Sequence, residues 1–205
     1  MKVIDCLQGS PEWFEARRGI PTASEFHRII TAKKMEFSSA ATDYIAELVA
    51  ERLSGLPPLG YHLRRSLMMD HGLQTEEEAR RWFELDRECT VERVGFCVSD
   101  DGKCGCSPDG LIGSEGGLEL KCPSGKTQVK WLLGGTLPDD YKAQVHGCLL
   151  VTGRPWWDFV SYHPGLAPLV IRVTPNGFTS ALRAALGQFQ DKLEQTLAFV
   201  TKRKP

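Results

Sequence analysis

Asp109, Glu119 and Lys121 have the residue types and the spacing to cut a phosphodiester with the help of a metal ion. A hard divalent cation takes oxygen ligands, and hydrolysis at phosphorus needs positive charge near the attacking water and the charge that develops. The two carboxylates can supply the first and the lysine the second. The stretch that carries them, Gly105 to Pro123, reads as two short strands: 103–112 brings Asp109 near its end, Ser114-Glu115-Gly116-Gly117 turns the chain, and 117–122 returns. Side chains alternate faces along a strand, so Glu119 and Lys121 project to one side and Leu118, Leu120 and Cys122 to the other. The same E-x-K spacing also occurs on ordinary solvated strands, which makes the supporting residues decisive.

Over 73–85 the pattern predicts a helix with Leu73, Glu76, Ala79 and Phe83 on one face. A carboxylate on an apolar stripe is costly unless it is paired or binds metal, so Glu76 joins the candidate ligands, while Glu77 and Glu78 fall on the solvated side. A helix from Asp139 to about Leu150 turns Tyr141, Val145, Cys148 and Leu149 inward and puts Gln144 where it can reach the site. Nearer the start, helical turns around Pro11–Arg18 and Ser24–Thr31 place Arg17 and Ser24 close to a helix N-terminus. Free backbone N–H groups and the helix dipole favour a phosphate there. Arg64 and Arg65, in a loop over 57–69, are candidate DNA contacts.

Ser107-Pro108-Asp109-Gly110-Leu111 followed by Gly117-Leu118-Glu119-Leu120-Lys121-Cys122-Pro123 resembles the P-D…E-x-K core of the lambda-exonuclease-like, YqaJ-type viral recombinase nucleases. Three further blocks resemble that family in the same order. They are Gln8-Gly9, Trp13, Arg17, Gly19 and Thr22-Ala23-Ser24-Glu25; then Gly72, Gln74, Glu76 and Ala79-Arg80; then Tyr141 and Ala143-Gln144-Val145. The likeness implies a restriction-endonuclease-like αβββαβ core. It also implies a Mg²⁺-dependent 5′→3′ exonuclease that digests one strand of linear double-stranded DNA from its end, leaving 3′ overhangs for phage-type recombination by single-strand annealing. The implied catalytic set is Glu76, Asp109, Glu119, Lys121 and Gln144. Two Mg²⁺ ions, replaceable by Mn²⁺, would be held by Asp109, Glu119, the Leu120 backbone carbonyl and Glu76. Arg17, Ser24, Ser107 and Gln144 form the expected set for DNA and its 5′ phosphate. A homotrimeric ring around DNA and a phage single-strand annealing protein as partner are further implications. Pro21 interrupts the N-terminal block, and His71 and Leu73 around Gly72 depart from the pattern. The rivals are a site-specific endonuclease or a Cas4-like nuclease of the same fold, the latter needing four cysteines on a cluster, and a DNA-end-binding module with a dead site.

The remaining elements must position these residues. At about 150 residues per domain, 205 residues with 41% hydrophobic content suggest one α/β unit over 1–205. Strands are expected at 90–98, 103–112, 117–122, 156–162 and 168–173, giving a mixed central sheet. Flanking helices are expected at 39–54, 125–133, 139–150 and 178–200. No stretch approaches the ~20 apolar residues of a membrane span, and Met1-Lys2-Val3-Ile4-Asp5 lacks a signal-peptide core. Seven cysteines without a C-x-x-C pair fit a reducing compartment, here the cytoplasm of a bacterial host cell. Cys104, Cys106 and Cys122 offer a soft-metal grouping, set against simple burial in the core. The net charge of −1 lacks the usual basic footprint of a DNA binder, but it is unevenly spread. Residues 71–123 hold six basic and twelve acidic side chains, and 124–205 hold ten basic and five acidic, one section for metal and one for phosphates.

Overall fold

The computed structural model describes residues 1–55 and 72–203, so Arg64 and Arg65 lie outside the described residues. Five strands form the larger sheet, in the order β2 (Val91–Glu92), β5 (Gly110–Ile112), β6 (Gly116–Lys121), β7 (Trp156–Ser161) and β8 (Leu169–Val173). A smaller sheet orders β1 (Lys2–Ile4), β3 (Phe96–Val98) and β4 (Gly105–Cys106). β6 is antiparallel to β5 and parallel to β7, so the larger sheet is mixed. The helices are α1 (Pro11–Arg17), a 3₁₀ helix (Ala23–Arg28), α2 (Ala41–Ser54), α3 (Gly72–Arg87), α4 (Gly125–Gly134), α5 (Asp139–Thr152) and α6 (Gly177–Thr201).

Two expectations need correction. The single strands foreseen over 90–98 and 103–112 are each two strands, one in each sheet. The first breaks around Gly95, where a Cβ would stand 2.2 Å from the Cys6 carbonyl oxygen, and the second around Pro108, which has no N–H to give a ladder. The chain therefore leaves the large sheet after β2, pairs β3 and β4 with the unforeseen β1, and returns as β5. The second N-terminal helix is also a tighter 3₁₀ element, offset to Ala23–Arg28.

The strand alternation holds. Leu118 and Leu120 pack with Val160 against Ala79 and Phe83 of α3. On the other face Trp157 and Phe159 enter the larger core with Val145 and Leu149 of α5, Tyr44 and Leu48 of α2, and Leu182 and Phe189 of α6. Each fully buried Leu or Phe contributes about 1.5–3 kcal/mol, and the sheet lies between these two layers. Gly117 sits opposite Trp157, and a Cβ on it would come within 2.1 Å of the indole. The bulk of the tryptophan thus requires the glycine, and the pair clamps the start of the strand that carries Glu119.

Candidate active site

β5 begins at Gly110 while β6 runs on to Lys121, so Asp109 stands where the ladder between them ends. Its backbone N–H donates to the Leu118 carbonyl at 3.2 Å, and its Oδ2 accepts the Leu120 N–H at 2.6 Å. The N–H and C=O of one strand residue point the same way, so the Leu120 carbonyl also faces this edge. Two side chains from outside the sheet tie the approach to Asp109: Gln8 donates to the Pro108 carbonyl at 2.8 Å, and the buried Arg80 guanidinium donates to the Asp109 carbonyl.

Glu119, on β6, is 1% exposed. Its Oε1 accepts from Gln144 of α5 at 2.6 Å and lies 2.5 Å from the Lys121 ammonium. Its Oε2 is buried and has no hydrogen-bond partner among the described residues. Burial pushes the Glu119 carboxyl up to about 7, with Lys121 pulling against it. Burial alone would weaken the Lys121 ammonium's hold on its proton, but Glu119 and Asp109 outweigh that and the net shift is upward. The lysine therefore stays charged, 5.2 Å from the centre of the Tyr141 ring.

Glu76 approaches from α3, on the opposite side of the sheet from Gln144. It is 39% exposed and lies 3.6 Å from Arg80. Burial raises its carboxyl pKa, and the nearby Asp109 charge adds to that. Asp109, Glu119, Lys121, Gln144 and the Leu120 backbone thus come together, and Glu76, paired with Arg80, is near enough for its charge to act on Asp109 and Lys121. Among the described residues no three His, Cys, Asp or Glu side chains gather as a ready-made metal cage. The cysteine grouping is not formed either. Cys122 is exposed, whereas Cys106 is buried with Cys97 opposite it across the β3–β4 pair.

The donors still fit a hard cation. An orphaned carboxylate oxygen in a buried position costs free energy that a divalent ion would offset, and Asp109 and the Leu120 carbonyl are the oxygens on the adjoining edge.

The second expected group also assembles. Arg17, at the end of α1, donates to Ser107 Oγ at 3.0 Å and to Thr22 Oγ1 at 3.2 Å, and Ser24 Oγ lies 3.3 Å from Thr22 Oγ1. Burial lowers the Arg17 guanidinium's proton affinity, and among the described residues no carboxylate forms an ion pair with it. Ser107 is two residues from Asp109, so both groups share one stretch of backbone. A cavity of about 490 Å³, lined by Ser24, His27, Thr31, Tyr141 and Gln144 among others, connects the Ser24 side to the Gln144 side. Trp13, Gln8 and Arg80 gained no role from sequence reasoning, and Thr22 only that of a candidate helix cap, whereas its hydroxyl accepts from Arg17. Their contacts bridge up to 100 residues of separation, which no local pattern signals.

The mixed sheet, its flanking helices and the carboxylates at the end of β6 define a restriction-endonuclease-like α/β fold. The chain belongs to the YqaJ-like viral recombinase domain family, whose profile matches residues 12–155. An alkaline exonuclease, LHK-Exo, from Laribacter hongkongensis superposes with a TM-score of 0.80 at 28% identity, covering 95% of this chain and 97% of that chain. Its structure in complex with dAMP gives 0.81 at the same identity and coverage. A phage-related exonuclease from Haemophilus somnus 129PT matches in fold, with a TM-score of 0.60 at 11% identity over 88% of this chain and 96% of that one. No curated protein matches. The chain thus shares its family with viral recombinase domains and, over nearly the whole of both chains, its fold with a solved alkaline exonuclease.

Proposed function

We propose that this chain is a Mg²⁺-dependent exonuclease that digests one strand of linear double-stranded DNA from its 5′ end, leaving 3′ overhangs for single-strand annealing. The observation that carries the reading is the buried Glu119 Oε2, unpartnered among the described residues, with the Lys121 ammonium on the other oxygen of the same carboxylate and Asp109 tied to the neighbouring Leu120 N–H. Mg²⁺, or Mn²⁺ in its place, would be held by Asp109, Glu119 and the Leu120 carbonyl, with Glu76 serving a second ion, and would supply Lewis-acid polarisation of the phosphoryl oxygens and a lowered pKa for water. Gln144 fixes Glu119 Oε1, which would leave Oε2 free to take a cation. Lys121 stays protonated and counters the charge that grows on phosphorus. Arg17, Ser24 and Ser107 hold the terminal 5′ phosphate, which carries more charge and more free acceptor oxygens than an internal diester.

Within this reading the molecule works as a homotrimeric ring in the bacterial cytoplasm and passes the exposed strand to an annealing protein. Enclosure would keep a chain of net charge −1 on DNA without a strong electrostatic grip. The test is linear duplex DNA labelled separately at each 5′ and 3′ end, incubated with Mg²⁺ or EDTA and followed in time. The 5′ labels should be released first, only with Mg²⁺, and Asp109→Ala should release none. Early release of 3′ label, or turnover by Asp109→Ala, would contradict the proposal.

A further inference from the structure

Trp13 touches two members of the expected end-phosphate set, Ser107 and Arg17. Its indole Nε1 donates to Ser107 Oγ at 2.8 Å, and the Arg17 guanidinium lies over its ring at 4.1 Å from the centroid. The Phe96 ring lies 5.8 Å from the same guanidinium, and Gly105 must lack a Cβ because that ring occupies its place, 2.1 Å away. Arg17 is therefore held among aromatic rings with no carboxylate pairing it among the described residues.

The hydrogen-bond arithmetic at Ser107 is the informative part. A serine hydroxyl has two acceptor lone pairs and one proton to donate. Trp13 and Arg17 each donate to Ser107 Oγ, at 2.8 and 3.0 Å, so both lone pairs are used. The remaining hydrogen can only be donated, and a phosphate oxygen is the acceptor it suits. Without the indole N–H, the hydroxyl could rotate and accept elsewhere.

We propose that Trp13 is a positioning residue for 5′-end recognition: its N–H commits Ser107 as a donor, and its ring face holds the Arg17 guanidinium for the terminal phosphate. This rests on the end-phosphate reading of Arg17 above. The substitution Trp13→Phe keeps a ring face under Arg17 and removes only the N–H. It should act through Ser107, so Trp13→Phe and Ser107→Ala should lower the preference by similar amounts, and the double variant should lose no more than either alone.

The measurement uses the full chain in EDTA, so that binding is read without turnover. Affinities for one duplex with a 5′-phosphoryl or a 5′-hydroxyl end are compared for wild type, Arg17→Ala, Trp13→Phe, Ser107→Ala and the double variant, with thermal melting of each as a check on folding. Trp13→Phe should reduce the phosphoryl-to-hydroxyl affinity ratio roughly three- to tenfold. With Mg²⁺ present, the loss should fall on KM for the phosphorylated duplex rather than on kcat. Should Trp13→Phe not fold, Trp13→His takes its place, since it keeps an N–H donor and should retain part of the ratio. A wild type with equal affinity for both ends would remove the Arg17 reading and this inference together. A wild type that prefers the phosphate, with Arg17→Ala losing the preference and Trp13→Phe keeping it, would overturn the role of Trp13 alone. Additive losses in the double variant would likewise show that Trp13 does not act through Ser107.

Discussion

Glu119 is a buried carboxyl with one oxygen unpartnered among the described residues, a deficit that a bound cation would make good. Its carboxyl titrates near 7 in the fold against an ordinary value of 4.5, so the folded chain without metal prefers the protonated form. This group therefore favours folding at low pH, and that contribution is lost as pH rises through about 7. A bound divalent ion reverses the preference, because only the carboxylate is a ligand. The increase in Tm on adding Mg²⁺ should therefore be larger at about pH 8.5 than at about pH 6, as differential scanning fluorimetry against EDTA would read. Glu119→Gln should lose most of that difference and raise the Tm in EDTA above neutral pH. Equal Mg²⁺ shifts at both pH values would mean that Glu119 is not a ligand. Lys121 should behave differently from the carboxylates. Lys121→Ala should lower kcat by about a hundredfold or more, while Mg²⁺ affinity by calorimetry holds or tightens, since a competing cation beside Glu119 is gone. Collapse of metal affinity would reassign the lysine.

The elements succeed by bringing separate side chains to the end of one strand. β6 presents Glu119 and Lys121, α5 brings Gln144, α3 brings Arg80 and Glu76, and α1 brings Arg17. α5 is the hub, because it packs on the sheet, on the 3₁₀ helix and on α6. Its buried His146 faces Thr179 of α6 at 2.8 Å and lies against Phe178. Burial, helped by Lys142, pulls the imidazole from 6.5 down to about 4, so the ring is neutral in the fold. An unfolded chain takes up that proton at a higher pH than the folded one, so stability should fall as pH drops from about 6.5 toward 4. His146→Gln keeps a polar partner for Thr179 without a titrating ring, and should flatten the urea midpoint across that window. An unchanged pH slope would place the acid sensitivity elsewhere.

For the whole molecule, the proposed ring makes two demands. Sedimentation at micromolar concentration should give a trimer, and a linear plasmid should be consumed while the covalently closed form of the same DNA survives. A strict monomer that still degrades long DNA processively would contradict the ring. Nicking of the closed circle would favour the endonuclease alternative. Among the described residues no helix is long and apolar enough to cross a membrane.

Much of the catalytic edge was legible in the residues themselves. Strict alternation in Leu118-Glu119-Leu120-Lys121 determined which side chains face the core, because a strand has a period of two and one face must be apolar. Helical spacing likewise set Gln144 on the face that reaches Glu119. The order of motifs, from Arg17 through Glu76 and Asp109 to Lys121 and Gln144, identified the family. Only the tertiary structure decided how these pieces meet. It split two foreseen strands between two sheets, because Gly95 packs against Cys6 and Pro108 cannot pair. It paired Glu76 with Arg80, gathered Asp109, Glu119, Lys121 and Gln144, and set Trp13 against Ser107 across 94 residues. Local periodicity encodes which face a side chain takes. Which distant side chain ends up as its neighbour, and which buried oxygen is left without one, depends on how whole elements pack.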